Sequence, residues 1–366
     1  MRLPKATEFV GEQENLFDRS PSENLFIVGP PGSGKTSLAI HRAIYLTNRN
    51  KSVLVVTRNK ILASLAHQLG DSQIETNTMH SFCSKNYWEN FQRTIPEYYS
   101  YKYIWPEIIE HYENKQVEPK YDHIIIDEGQ NLPRDFFKWA FRFAGRNSTV
   151  FADENQTTDD LCASINDILD AGWANPIRLT RNHRNTKQIA AVAEHFHQSI
   201  KLPPARVVRE KVGDTPLFIS ITKWDDLINR VGIRIGNRRE SIGVIVQSIE
   251  SVNLLTAFLR KSLDQAVRIH SYTSAYSGNA ASEVRSMEPG VTILTGESVI
   301  GLEFDVVYLV DLDRSLPCDT LEKNRRLYML CARARDTLFL VSGPSELSQQ
   351  QISGLPQPPV LLYEAL

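Results

Sequence analysis

The sequence predicts an α/β fold with parallel sheets flanked by helices, divided into two domains. Three observations carry that prediction. Short apolar runs of four to six residues recur along the chain, helix-patterned segments follow them, and 366 residues at 42% hydrophobic content suffice for two cores. The clearest run is HIIIDEGQN at 123–131. Three consecutive isoleucines read as a strand buried on both faces, as a parallel strand covered by helices is. They stop at Asp127 and Glu128, adjacent carboxylates whose repulsion calls for water, a cation or a strong donor beside them.

In chain order, LFIV (25–28), VLVV (53–56), HIII (123–126) and STVF (148–151) are the strands expected of the first half. A second series follows IRLT (177–180): PLFIS (216–220), IGVIV (242–246), VTIL (291–294), DVVYLV (305–310) and TLFLV (337–341). The expected boundary lies near Asn175 and Pro176, giving domains over 1–176 and 177–345, with a reduced aromatic insert at 83–118 in the first. Residues 271–289 are Ser-rich without apolar period and read as a long loop. The Gln- and Pro-enriched stretch 346–366 reads as a poorly ordered C-terminal tail.

Composition narrows the class. Lys and Arg number 41 against 43 Asp and Glu, a net charge of −2, so there is no global bias toward nucleic acid or anionic membrane and any polyanion site must be local. Cys83, Cys162, Cys318 and Cys331 have neither zinc-site nor disulfide-framework spacing. The N-terminal MRLPKATEFVGEQ lacks the apolar segment of a signal peptide, and no run is long enough to span a bilayer. A cytoplasmic protein without a membrane partner is expected.

GPPGSGKTS at 29–37 fits GxxxxGK[ST] directly after a strand and before a helix. Gly29, Gly32 and Gly34 let the loop, with Pro30, Pro31 and Ser33, curl so that its backbone N–H groups, which the prolines lack, face a β-phosphate, and the helix opening at Ser37 adds its positive end. Lys35 is expected to span the β- and γ-phosphates of ATP, and Thr36 to offer its hydroxyl to magnesium. The adjacent carboxylates then divide the work. Asp127 completes the magnesium shell from its second sphere, and Glu128 orients and deprotonates the attacking water.

Joined to FADENQ (151–156), TRNHRN (180–185), TGESVIGLEFD (295–305) and LYMLCARAR (327–335), these motifs stand in an order that resembles the UvrD/Rep-like superfamily 1 helicases over the whole chain. The resemblance implies two RecA-like P-loop NTPase domains with ATP and magnesium between them. It implies that Gln13 reads the adenine edge, Gln156 senses the γ-phosphate, Arg184 and Arg333 reach that phosphate, and Glu303 holds the ribose. TMHSF (78–82) is similar to a segment that touches the nucleic-acid backbone, so Thr57, Thr78, His80 and Thr295 are the candidates for contact there. Two arginines aimed at a transferring phosphoryl group stabilise the charge that builds on it.

Departures gather on the nucleic-acid side. TTDDLC (157–162) lacks the aromatic and arginine that the family carries after the glutamine; Ile300 replaces a common lysine, and Ala332 a usual threonine. His183 stands where a tyrosine stacks on adenine, keeping a flat ring but adding a charge near neutral pH. The spacing excludes the large inserted subdomains. What fills the first gap is YWENFQRTIPEYYSYKYIW (87–105), with eight aromatic residues; it reads either as rings buried on the sheet or as a base-stacking platform that includes Tyr99 and Tyr101. Arg230, Arg234 and Arg238, at i, i+4 spacing, read as a solvated helix face or a phosphate track.

The function expected is an ATP-dependent motor on nucleic acid, single-stranded DNA foremost: a minimal helicase or translocase. The alternative is a helicase-like regulatory ATPase switch that controls a partner protein without unwinding.

Overall fold

The computed structural model describes residues 3–58, 60–70, 73–153, 162–197, 204–273 and 288–365. Contacts divide the chain into one unit of Leu3–Pro30 with Gly34–Thr180 and another of Arg181–Leu366 with Pro31–Ser33. Each unit is built on its own large parallel sheet flanked by helices, the α/β arrangement expected of two RecA-like domains.

In the first unit, strands β1 (Leu25–Val28), β2 (Val53–Thr57) and β3 (Glu75–Thr78) are followed by a short antiparallel ribbon of β4 (Glu97–Tyr99) and β5 (Lys102–Tyr103). Strands β6 (Tyr121–Ile126), β7 (Gly145–Ala152) and β8 (Ile177–Arg178) complete a six-stranded sheet in the order β3-β2-β6-β7-β1-β8. Its pairs are all parallel, so the strand ends carrying the loops at 29–34, 127–129 and 153 lie along one edge. Ile124, Ile125 and Ile126 are wholly buried, as the apolar run requires. Helix α1 (Lys35–Thr47) presses Leu38, Ile40, Ala43 and Leu46 inward.

The aromatic insert divides in two. Helices α2 (Lys60–Leu69), α3 (Met79–Phe91) and α4 (Trp105–Lys115) cover the sheet, and Tyr87, Trp105 and Tyr112 join a core with Phe136 and Trp139. Tyr98, Tyr99 and Tyr101, on the β4–β5 ribbon, stay outside at 74%, 66% and 66% exposure.

The second unit holds a two-stranded parallel ribbon, β9 (Arg181–Asn182) and β10 (Arg206–Val207). Its main sheet comprises β11 (Leu217–Ser220), β12 (Ser241–Val246), β13 (Ile269–Tyr272), β14 (Gly290–Thr295), β15 (Phe304–Leu309), β16 (Ala334–Ser342) and β17 (Leu362–Ala365). These seven run parallel in the order β13-β14-β12-β15-β16-β11-β17.

Eight strands were not expected: β4, β5, β9 and β10 of the two ribbons, and β3, β8, β13 and β17 of the large sheets. All are sheet edges, where a strand has one neighbour and needs no continuous apolar run. The last corrects the expected tail, because Leu355 and Leu361 are buried and Leu217 to Ser220 align with Leu362 to Ala365 in β17. Of the expected loop at 271–289, residues 271 and 272 belong to β13, while 274–287 lie outside the described residues.

Of the two readings of the arginine trio, the ion pairs weigh against the phosphate track. Arg230 pairs with Glu364 at 3.0 Å, Arg234 grips both oxygens of Glu240 at 2.7 and 3.2 Å, and Arg238 lies beyond the helix end, 3.6 Å from Glu240. These carboxylates occupy the charge a phosphate track would need. Among the described residues no helix is long and apolar enough to cross a membrane.

Candidate functional site

The loop after β1 is shaped by two left-handed glycines, Gly32 at φ +76° and Gly34 at φ +87°. At Gly34 a Cβ would stand 2.7 Å from Gln13 Nε2, so the bare backbone is also what lets the buried Gln13 side chain lie against the loop. Lys35 opens α1 and is 6% exposed. Its Nζ donates to Gly29 O at 2.6 Å and Pro30 O at 3.0 Å, with Asp153 at 3.7 Å. Ser37 is buried in the first turn of the same helix.

Across the sheet edge, Thr36 Oγ1 donates to Asp127 Oδ2 at 2.8 Å, and the Glu128 amide donates to Asp127 Oδ1 at 3.1 Å. Burial, and then the charge of Glu128, push the Asp127 carboxyl well above its ordinary range, while Thr36 and Lys35 act the other way. Glu128 takes a left-handed backbone, φ +56°, that only special surroundings keep in a non-glycine residue. Its Oε2 accepts from Gln130 Nε2 at 2.6 Å, and Gln130 Oε1 accepts from the Asp153 amide at 2.9 Å. Gln130 and Asp153 are thus functional candidates that sequence reasoning passed over. The signal was present in DEGQ and FADENQ, but nothing local says that Gln130 reaches both a side chain and another strand's end.

Asp127, Glu128 and Asp153 are three buried carboxylates near one buried ammonium. This excess of negative charge is what a divalent cation relieves, and the Thr36 hydroxyl beside Asp127 is a suitable ligand for it. Among the described residues no group of three or more His, Cys, Asp or Glu could hold a metal. On the anion side, Lys35 now spends its donors on its own loop's carbonyls, which a phosphate oxygen would replace. The residues fit a magnesium nucleotide.

Thr57 and Thr78 are neighbours in register at the ends of β2 and β3. Thr78 caps α3 by accepting from the Ser81 amide at 3.3 Å, and His80 follows in the first turn. Burial and the charges of Arg58 and Lys102 lower the His80 pKa against the pull of Glu97.

In the second unit, Arg184 Nε donates to Glu303 Oε2 at 2.5 Å. Burial opposes ionisation of Glu303, yet Arg184 and Arg335 hold its carboxyl below the ordinary range. The resemblance gives Glu303 to a ribose; here it grips Arg184. Arg333 is 1% exposed and donates to Met329 O at 3.1 Å and Leu302 O at 3.3 Å. Asn185 joins the group by donating to Ala332 O at 3.1 Å. His183 is half-buried, and Thr295 spends its hydroxyl on Ser298 Oγ at 3.0 Å. Gln156 lies outside the described residues.

A curled glycine loop, a helix-opening lysine and paired acidic residues at a parallel sheet's edge define a nucleotide-binding α/β domain of the P-loop class. Residues 12–160 match the AAA domain family, a span that includes Gln13, the loop and the Asp127–Glu128 pair. No curated protein matches the chain. The C-terminal domain of a possible DNA helicase from Lactobacillus plantarum WCFS1 is similar at 17% identity over 50% of this chain and 98% of that one. Its TM-score is 0.35, too slight a likeness to carry an argument.

Proposed function

We propose that this protein hydrolyses ATP with magnesium and uses the hydrolysis to move along nucleic acid, single-stranded DNA foremost, as a minimal superfamily 1 helicase or translocase. The observation that carries the reading is Thr36 hydrogen-bonded to Asp127 beside a Glu128 held by its own amide partner. One carboxylate is committed to the cation's side of the site and the other is aimed by Gln130, which is the division that phosphoryl transfer to water requires.

Lys35 would release Gly29 O and Pro30 O to hold the β- and γ-phosphates, within amides presented by 29–34. Gln13, beside Gly34, would read the adenine edge, and His183 would stack on its face. Thr36 and Asp127 would hold magnesium, which supplies positive charge to the phosphoryl oxygens. Glu128 would take the proton of the attacking water. Arg184, Arg333 and Gln156 are assigned to the γ-phosphate, with Glu303 as ribose ligand or as the group that orients Arg184. Thr57, Thr78, His80 and Thr295 are assigned to the nucleic-acid backbone.

Steady-state ATP hydrolysis with and without single-stranded DNA tests the reading. Magnesium-dependent hydrolysis accelerated by the strand is expected. Absence of hydrolysis overturns the reading. Hydrolysis indifferent to DNA and RNA favours the regulatory switch acting on a partner protein, the reading that the replaced base-contact residues after Gln156 would suit.

A further inference from the structure

The β4–β5 ribbon turns at Ser100 and Tyr101, with Tyr99 opposite Lys102. Tyr101 sits at φ +66°, a conformation that turns give to glycine or asparagine and that costs a bulky aromatic residue about 1–2 kcal/mol. A ring kept there at 66% exposure, beside Tyr99 at 66% and Tyr98 at 74%, gains nothing from the core. The ribbon beneath is nevertheless firmly held. Tyr103 is buried and its hydroxyl donates to His80 O at 3.1 Å, Ile104 N bonds Pro96 O at 2.9 Å, and Tyr101 N donates to Glu97 Oε2 at 3.1 Å. The Tyr101 ring lies 5.0 Å from that of His80, so the exposed aromatic surface continues onto the segment assigned to backbone contact. Arg58 and Lys102 place positive charge beside His80, and the carboxylate of Glu97 there is engaged by the turn amide.

We infer that this ribbon is a base-stacking site for single-stranded nucleic acid: Tyr99 and Tyr101 receive successive bases on their faces while Lys102 and Arg58 attract the phosphates. Rigid rings on a fixed ribbon suit stacking, which tolerates any base because every base presents a π-face. Paired bases would keep their faces covered, so duplex is a poor ligand. The inference rests on the nucleic-acid reading of the function and gives that reading a binding surface where the residues after Gln156 have lost theirs.

The test measures fluorescence anisotropy of a labelled oligothymidylate and of an abasic oligonucleotide of equal length, using the full chain with Tyr99→Ala/Tyr101→Ala and Tyr99→Phe/Tyr101→Phe variants. The alanine pair should weaken oligothymidylate binding by about tenfold or more per ring lost, and the phenylalanine pair should keep it. Binding of the abasic strand should be weaker in the wild type and indifferent to the alanine changes. ATP hydrolysis without DNA and the melting temperature should match wild type, since both rings are outside the core. If the wild type binds oligothymidylate and the alanine pair binds it equally well, the ribbon is not the site, and the motor reading survives. Equal binding of abasic and normal strands overturns stacking in the same way. Failure of the wild type to bind any single strand at low salt overturns the nucleic-acid reading itself, and points to a protein as the occupant of the tyrosine surface.

Discussion

Gln130 bridges Glu128 and the Asp153 amide with its two amide ends, at 2.6 and 2.9 Å. The carboxylate that would activate water is therefore tied to the end of β7, from which the stretch containing Gln156 departs. Shortening this link should leave nucleotide binding intact and misplace the base. Gln130→Ala is expected to lower kcat by about tenfold to a hundredfold with little change in KM. Glu128→Gln should abolish turnover while ATP remains bound. A Gln130→Ala protein turning over at the wild-type rate removes the positioning role.

Lys35 is buried against loop carbonyls and Asp153, so its loss acts on the nucleotide site directly. Lys35→Ala should weaken ATP binding and abolish hydrolysis. In a thermal melt, saturating magnesium ATP should raise the wild-type Tm and leave the variant unmoved, because a ligand stabilises only the state that binds it. A variant with a wild-type ATP shift contradicts the assignment.

Arg333 combines a proposed phosphate role with full burial. Arg333→Ala is expected to lower turnover by about a hundredfold or more while ATP affinity changes little. The orphaned carbonyls of Met329 and Leu302 should also cost about 1–3 kcal/mol of stability. Arg335→Ala, a third exposed and 3.6 Å from Asp305, should be mild in both measurements. If the Arg333 variant, assayed well below its melting temperature, keeps wild-type kcat, Arg333 is a structural residue alone.

A pH effect comes from beneath the site. His123 in β6 is buried, bonded to Thr149 Oγ1 at 2.8 Å, which also accepts from Arg42 Nε at 2.9 Å. Burial, then the charge of Arg42, push the His123 pKa down to about 3 from 6.5. The folded ring stays neutral where the unfolded one takes a proton. Stability from this group is full above pH 6.5 and declines as the pH falls toward 3, by at most about 1.4 kcal/mol per pH unit. His123→Gln should flatten the fall of Tm between about pH 6 and 4. An unchanged Tm profile rules this histidine out as its source.

The β-strands that lie inside the sheets are legible in the sequence because burial on both faces demands continuous apolar runs such as HIII and VLVV. The glycine loop is legible for a similar local reason: Gly32 and Gly34 must adopt positive φ, and Lys35 must open a helix immediately after them. Edge strands β3, β13 and β17 are not legible, since one-sided pairing leaves composition free. Neither is the fate of a charge or a ring. Arg234 could meet phosphate or Glu240, and the aromatic insert the core or water; sequence lists the donors without their partners. Packing supplied the partners, by bringing Glu303 within reach of Arg184 far along the chain, by folding Glu240 back onto Arg234 past the end of its helix, and by closing Tyr87, Trp105 and Tyr112 over the first sheet. Tyr99 and Tyr101 stayed outside because a two-residue turn on a narrow ribbon has no second layer to bury them.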